Sequence, residues 1–233
     1  MSLKAIIFDL NGVIINDEPI HQQLIDDLLL GENLLPSGKE YQKICLGKND
    51  QSCVRDILAK RGRIIDDDYL SILMNKKAEA YHKIVNEMSE LPIYDKVVEF
   101  ILSLQPRHLS LAIVTGLLYR EVEYILKRMN IREYFNVIIA GEDIKLGKPS
   151  PSYYLRAVKQ LNQQNPDLSI KTSECLVIED TPIGIESAKN AGISVVGVAN
   201  TYPFHLLQRQ ANWCVDHLMQ LDLNWIDEIL VKT

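Results

Sequence analysis

Residues 175–185, Cys175-Leu176-Val177-Ile178-Glu179-Asp180-Thr181-Pro182-Ile183-Gly184-Ile185, pass from an apolar run through two acids and a hydroxyl into a proline-led helical pattern. The run is continuous rather than alternating, as in a parallel strand covered on both faces. Thr181 followed by Pro182 is a helix-start signal, a capping hydroxyl and then the residue favoured in the first turn. A strand that feeds directly into a helix is part of a βαβ unit. Four more runs of this kind, residues 5–9, 111–115, 137–140 and 194–198, read as strands. Helix-period segments over 118–129, 151–161 and 182–191 separate most of them. The alternation predicts an α/β fold, a doubly wound (Rossmann-like) parallel sheet. Right-handed crossovers then align all strand C-termini along one edge.

The interval between the first two strands breaks the rhythm. About 100 residues separate Asp9 from Leu111, whereas a crossover with its helix needs about a dozen or more. The surplus is helical in pattern. Asp17-Glu18-Pro19 opens one helix with acids in its first turn, and Leu24, Ile25, Leu28 and Leu29 give it an apolar stripe. Further helices are expected over about 39–46, 50–61 and 67–88, with Gly47 and Gly62 as stop signals. The chain therefore divides into an α/β core domain, residues 1–13 and 90–233, and an inserted all-α cap domain, residues 14–89, seated over the strand ends. The polar tract 162–167 reads as a surface loop. Trp213 and Trp225 are placed in a C-terminal helical stretch as packing residues.

Composition limits the partners. The chain has 233 residues, 47% of them hydrophobic, enough to bury a core. Its 25 Lys+Arg against 31 Asp+Glu, a net charge of −6, lack the basic excess that nucleic acid or an anionic membrane requires. No apolar run reaches the roughly 20 residues of a membrane span. Met1-Ser2-Leu3-Lys4 has neither the charged n-region nor the cleavage site of a signal peptide. Cys45, Cys53, Cys175 and Cys214 lack metal-ligand spacing and read as reduced, half-buried apolar residues. These features predict a cytoplasmic protein, a monomer or weak dimer, with no nucleic-acid or membrane partner.

In open α/β sheets, ligands bind beyond the carboxyl ends of the strands. Those ends carry Asp9, Thr115-Gly116, Glu179-Asp180 and, just past the third strand, Lys148. Clustered acids attract a hard divalent cation such as Mg²⁺, and a lysine with a hydroxyl suits phosphate oxygens. Taken singly, each residue has a plainer account: an Asp caps a turn, Thr115 is a satisfied β-branched residue, Lys148 is a solvated charge. Their joint placement at successive strand ends points to phosphoryl transfer. Neither a Walker A loop nor the G-x-G-x-x-G fingerprint is present: Pro149 follows Gly147-Lys148, and only Gly12 follows the first strand.

Four ordered segments carry a family resemblance. Phe8-Asp9-Leu10-Asn11-Gly12-Val13, Ile113-Val114-Thr115-Gly116, Gly147-Lys148-Pro149-Ser150-Pro151 and Val177 through Ile185 resemble the four motifs of the haloacid dehalogenase superfamily. The likeness is strongest to its branch of β-phosphoglucomutases, phosphoglycolate phosphatases and sugar phosphatases. It implies that Asp9 is a nucleophile forming an aspartyl-phosphate. It implies Mg²⁺ held by Asp9, the backbone carbonyl of Asn11 and Asp180, with Glu179 as a further ligand or as orienter of the others. Thr115 and the Gly116 amide would grip the phosphoryl oxygens, and Lys148 would neutralise charge beside Asp9. Thr181 reads as a helix cap alone. Gly47-Lys48-Asn49-Asp50 stands where such proteins carry a specificity loop, and equally reads as an interhelical turn. The partner implied is a small phosphorylated metabolite, a sugar phosphate or a phosphoglycolate-like ester.

The resemblance breaks at position 11. An Asp usually stands there to protonate the leaving oxygen and later activate water, a contribution of about 10²–10⁴-fold. Asn11 cannot exchange a proton in that way. Asn16 likewise replaces an Asp, and Asp17 a small hydroxyl residue. Three readings follow: a slow phosphatase, one in which Asp17 or His21 supplies the proton transfer, or a catalytically impaired protein that binds phosphometabolite or a partner. Phosphomutase activity needs the missing group. A metal-free dehalogenase has an aromatic residue at that position.

Overall fold

The computed structural model of the chain describes residues 3–144 and 146–232, so that Met1, Ser2, Lys145 and Thr233 of the expected core segment lie outside the described residues. Strand β1 (Ala5–Asp9) is buried along its whole length. Helices α1 (Glu18–Gly31), α2 (Gly38–Ile44), α3 (Asp50–Lys60) and α4 (Asp67–Glu87) follow. The chain returns through α5 (Val97–Ser103) to β2 (Ser110–Val114), α6 (Tyr119–Arg128), β3 (Val137–Ile139) and α7 (Ser152–Gln164). It then forms β4 (Cys175–Glu179), α8 (Pro182–Asn190), β5 (Ser194–Val198) and α9 (Phe204–Leu207). Strand β6 (Trp213–Val215) and α10 (Leu223–Lys232) complete it.

All strand pairs are parallel, in the order β3-β2-β1-β4-β5-β6. The order reverses between β1 and β4, so a crevice opens beyond their carboxyl ends, where Asp9 and Glu179 sit. The two-residue period sorts β1 between the layers. Ile6 and Phe8 join a cluster with Phe100, Ile125 and Ile226 of α5, α6 and α10. Ala5 and Ile7 pack with Tyr154, Leu161 and Ile185 of α7 and α8. Phe8 meets Phe100 and Phe135 edge-on, at 6.3 and 5.8 Å between ring centres.

The helical insert has its own core, with Ile25, Leu29, Val54, Ile57, Leu73 and Met74 buried together. Asn49 and Asp66 cap α3 and α4, accepting from the amides of Ser52 and Tyr69 at 2.8 Å. The chain enters and leaves the insert side by side: the Asn16 amide donates to the Pro92 carbonyl at 2.6 Å and the Tyr94 amide to Ile14 at 3.2 Å.

Four expectations are corrected. Trp213 lies in a sixth strand, not in a helix; Trp225 lies in α10, and the two rings meet edge-on at 6.3 Å. The first half of the polar tract 162–167 extends α7 to Gln164. Strands β2 and β3 each end one residue earlier than expected. Cys45 and Cys53 are not reduced thiols: the turn between α2 and α3 brings their Cα atoms to 4.5 Å and a disulfide joins them, leaving Cys175 buried and Cys214 half-buried as free thiols.

Candidate active site

The carboxyl ends of β1 and β4 place two short loops against each other. After Asp9 the chain turns at Gly12, with φ of +76°, where a Cβ would stand 1.8 Å from Asp180 Oδ2. Only glycine permits both the left-handed turn and that approach. Asn200, just past β5, donates to the Gly12 carbonyl at 2.7 Å and fixes the turn. After β4 the Thr181 hydroxyl accepts from the Gly184 amide at 3.1 Å, the cap expected of it. Thr181 also donates its hydroxyl and its amide to Glu179 Oε2, which the Asp180 amide reaches as well, at 3.1, 3.2 and 3.1 Å. The Glu179 carboxylate lies so close to Gly184 that a Cβ there would stand 1.9 Å from it.

Lys148 bridges the two ends. Its ammonium is 3.1 Å from Asp9 and also donates to Glu179, whose Oε1 accepts from the Tyr154 hydroxyl at 2.8 Å. The same ammonium lies 5.9 Å from the centre of the Tyr154 ring. Burial works against the charged lysine, but Asp9 and Glu179 outweigh it and hold its pKa above the ordinary value. Burial also pushes Asp9 up to about 7, with Lys148 opposing and Glu179 adding to the rise. For Asp180, burial and then the charges of Glu179 and Asp9 push the carboxyl well above its usual range.

One oxygen of each of Asp9, Glu179 and Asp180 lies within 4.8 Å of the others, the one such acidic group among the described residues. Asp180 Oδ1 is buried and has no hydrogen-bond partner among them. A hard divalent cation relieves both features, since carboxylate oxygens are its preferred ligands and its charge offsets their repulsion. The donor set fits Mg²⁺. Both oxygens of Glu179 are already engaged, which suits it to hold Lys148 and the β4 loop.

Position 11 is built differently. Asn11 Nδ2 donates to Asp17 Oδ1 at 2.8 Å and lies 3.3 Å from His21 Nε2, while Asn11 Oδ1 accepts from the Thr115 hydroxyl at 3.0 Å. Thr115, expected at the phosphoryl oxygens, is fully buried, and the Leu117 amide donates to its oxygen at 3.2 Å. Asp17 precedes α1 but does not cap it. Its carboxylate turns inward to the Tyr81 hydroxyl and to His21 Nε2 at 3.2 Å. Burial would raise Asp17, yet the His21 interaction and the hydrogen bonds from His21, Tyr81 and Asn11 hold it below the usual carboxylate range. Beyond His21, the fully enclosed Lys77 ammonium reaches His21 Nδ1 at 2.8 Å and Asp50 at 2.7 Å.

These groups surround a cavity of about 60 Å³, with Asp9, Asn11, Gly116 and Lys148 on the sheet side. Glu18, His21 and all of Gly47-Lys48-Asn49-Asp50 line it from the insert, so this turn does form a wall of the site. Tyr41 donates to Glu18 at 2.6 Å, and burial leads the causes that raise the Glu18 carboxyl. Cys45 and Cys53 line the same wall. The structure thus brings together Asp9, Asn11, Gly116, Lys148, Glu179 and Asp180, and keeps the Thr115 side chain behind Asn11. Asn200, Thr201 and Tyr154 were missed in the sequence. Thr201 hydrogen-bonds Asp180. The first two follow the fifth strand end, a position that marks them as surely as Glu179 is marked by the fourth.

Comparison with known proteins gives a consistent result. The model of the haloacid dehalogenase-like hydrolase family matches residues 6–198. The phosphorylated carbohydrates phosphatase of Thermotoga maritima is 27% identical over 201 residues, 85% of this chain and 87% of that protein. A phosphoglycolate phosphatase of Pseudomonas fluorescens is 26% identical over 204 residues, 85% of this chain and 70% of that one. The crystal structure of a β-phosphoglucomutase from Clostridium difficile has a TM-score of 0.84 at 21% identity, covering 99% of this chain and 98% of the other. At that identity the likeness is one of fold.

Proposed function

Because the chain belongs to the haloacid dehalogenase-like hydrolases, we propose that it is a Mg²⁺-dependent phosphatase of a small phosphorylated metabolite, a sugar phosphate or phosphoglycolate-like ester. The observation that carries the reading is Asp9, paired with Lys148 at 3.1 Å and grouped with Asp180, whose Oδ1 has no partner among the described residues. Asp9 forms a bond to phosphorus as the ester P–O bond breaks, and the electron pair leaves with the alkoxide, which takes a proton from water. Water then attacks the aspartyl-phosphate, releasing phosphate and restoring Asp9. Lys148 neutralises charge at the nucleophile, with Glu179 and Tyr154 fixing its position. Gly116 lines the same cavity, and its amide would supply a donor to a phosphoryl oxygen. Bound by Asp9, the Asn11 carbonyl and Asp180, Mg²⁺ would supply electrostatic stabilisation of the charge on the phosphoryl oxygens.

A cavity of about 60 Å³ is small beside the roughly 300–1,000 Å³ of metabolite pockets. The insert therefore acts as a cap that opens to admit substrate and closes to exclude water. The paired segments around Ile14–Asn16 and Pro92–Tyr94 are its hinge.

No group at position 11 delivers a proton to the leaving oxygen. Turnover should therefore depend steeply on the leaving group: an aryl phosphate, whose phenolate needs no proton, is hydrolysed about 10²-fold or more faster than an alkyl phosphate. A panel of both ester types assayed with Mg²⁺ tests this, and Asp9→Asn should abolish turnover of all of them. Equal rates on both types would show that another group performs the proton transfer. The second reading, a phosphometabolite-binding protein with little turnover, is favoured by the locked Asn11. It predicts ester binding in calorimetry with no release of phosphate.

A further inference from the structure

We infer that Asn11 and Asp17 are a matched donor–acceptor pair, in which Asp17 is the positioning residue that fixes the orientation of the Asn11 amide. It follows that residue 11 can be turned into a working acid only when residue 17 is changed with it. The kinetic part rests on the phosphatase reading; the pairing itself does not.

The argument is a count of hydrogens. Asp17 is fully enclosed, and every neighbour it meets offers a hydrogen: Asn11 Nδ2 at Oδ1, the Tyr81 hydroxyl and His21 at Oδ2. Its own carboxylate offers none. At the far end of the Asn11 amide, Thr115 has a single hydroxyl hydrogen. That hydrogen goes to Asn11 Oδ1, the end of the amide that the Asp17 contact turns toward Thr115. The amide consequently has one satisfied orientation, and rotating it by half a turn would set Oδ1 against the Asp17 carboxylate. Both ends of the side chain are therefore fixed by protein, Nδ2 on Asp17 and Oδ1 on Thr115.

An Asp at position 11 in this setting would press two acceptor-only carboxylates together at the 2.8 Å now spanned by an N–H···O bond. An Asn at position 17 alone creates the opposite fault. Its oxygen must face Tyr81 and His21, so its NH₂ meets the Asn11 NH₂. Exchanging the two residues restores one donor facing one acceptor with the same shape and the same number of carboxylates. The two departures at these positions, Asn for Asp at 11 and Asp for a hydroxyl residue at 17, therefore read as one coupled change.

The test is a four-member cycle: the unmodified protein, N11D, D17N and the exchange N11D/D17N. Urea unfolding midpoints are measured for all four without metal, and kcat and KM with Mg²⁺ on an aryl and an alkyl phosphate. Both single variants should unfold at lower urea than the starting protein, and the exchange should recover most of the loss. The exchange should give a kcat on the alkyl ester about tenfold or more above that of N11D alone, with KM little altered. Additive midpoint shifts, or N11D alone matching the exchange in kcat, would overturn the inference. An exchange that recovers stability without gaining rate would overturn its kinetic half. If none of the four releases phosphate from any ester, the phosphatase reading falls, and the midpoints still decide whether the residues are paired.

Discussion

Two kinds of buried carboxylate flank Asn11, and they are in opposite states. Asp17 receives hydrogen bonds from three side chains and is held below the usual carboxylate range. Asp9 and Asp180 are also buried, yet they face Glu179 and each other and are pushed upward, and Asp180 keeps an unsatisfied oxygen. Burial is common to all three, so burial alone does not mark a functional acid. What separates them is whether the protein supplies the partners. A saturated carboxylate is structural, and one left unsatisfied at a strand end is set for a ligand that the protein does not itself contain.

The sharpest way to break this contrast is to neutralise one acid of each kind. Asp180→Asn should lower Mg²⁺ affinity by about a hundredfold or more and abolish turnover, while the metal-free protein becomes more resistant to urea because the cost of burying that carboxyl group beside Glu179 and Asp9 is gone. D17N should be destabilised instead. Calorimetric titration with Mg²⁺ and urea unfolding check both, and a metal-free Asp180→Asn protein less stable than its parent would remove the distinction.

Acidity sharpens the same comparison with a smaller effect. Asp9, raised to about 7, keeps its proton in the folded state through a range where the unfolded chain has lost it. Its contribution to stability therefore falls as pH rises from about 4 to about 7, by at most about 1.4 kcal/mol per pH unit. Asp17 behaves oppositely: its contribution is full above the ordinary carboxylate pKa and is lost as pH falls through its lowered one. Metal-free unfolding across pH should show the first slope, and Asp9→Asn should flatten it. Mg²⁺ affinity should rise over the same interval, up to about tenfold per pH unit, because binding displaces the proton.

The smallest expected effect concerns the insert wall. The Cys45–Cys53 disulfide closes a loop spanning eight positions, so reducing it should cost about 2–3 kcal/mol. The loss should appear as earlier unfolding of α2 and α3 in hydrogen exchange, with the sheet unchanged. Uniform loss of protection through the sheet would mean that insert and sheet unfold as one unit.

Much of the fold was legible because its signals are local. Continuous apolar runs, the Thr181-Pro182 start and the over-long first crossover each announce themselves within a few residues. The acids and Lys148 were legible because a parallel sheet brings every strand end to one edge. What was hidden depended on distant partners. Asp17 looks like a helix-start acid, and only the packing of α4, which delivers Tyr81, turns it inward. Thr115 looks like a phosphate ligand until Leu117 and Asn11 are seen to take up its hydroxyl. Strand β6 has three half-buried residues at a sheet edge, too few to show a period. The disulfide joins the residue after α2 to one inside α3, across a turn whose path no composition reveals.

The cavity has divided ownership. Asp9, Lys148 and Asp180 come from strand ends locked in the sheet, whereas Glu18 and the Gly47–Asp50 turn belong to a body with a separate core. On the phosphatase reading proposed above, reactivity and selectivity fall to different stretches of the chain and are free to drift apart. Insert sequences could be traded between relatives like interchangeable jaws on one tool, redirecting the choice of ester while the bond-breaking apparatus stays as it was.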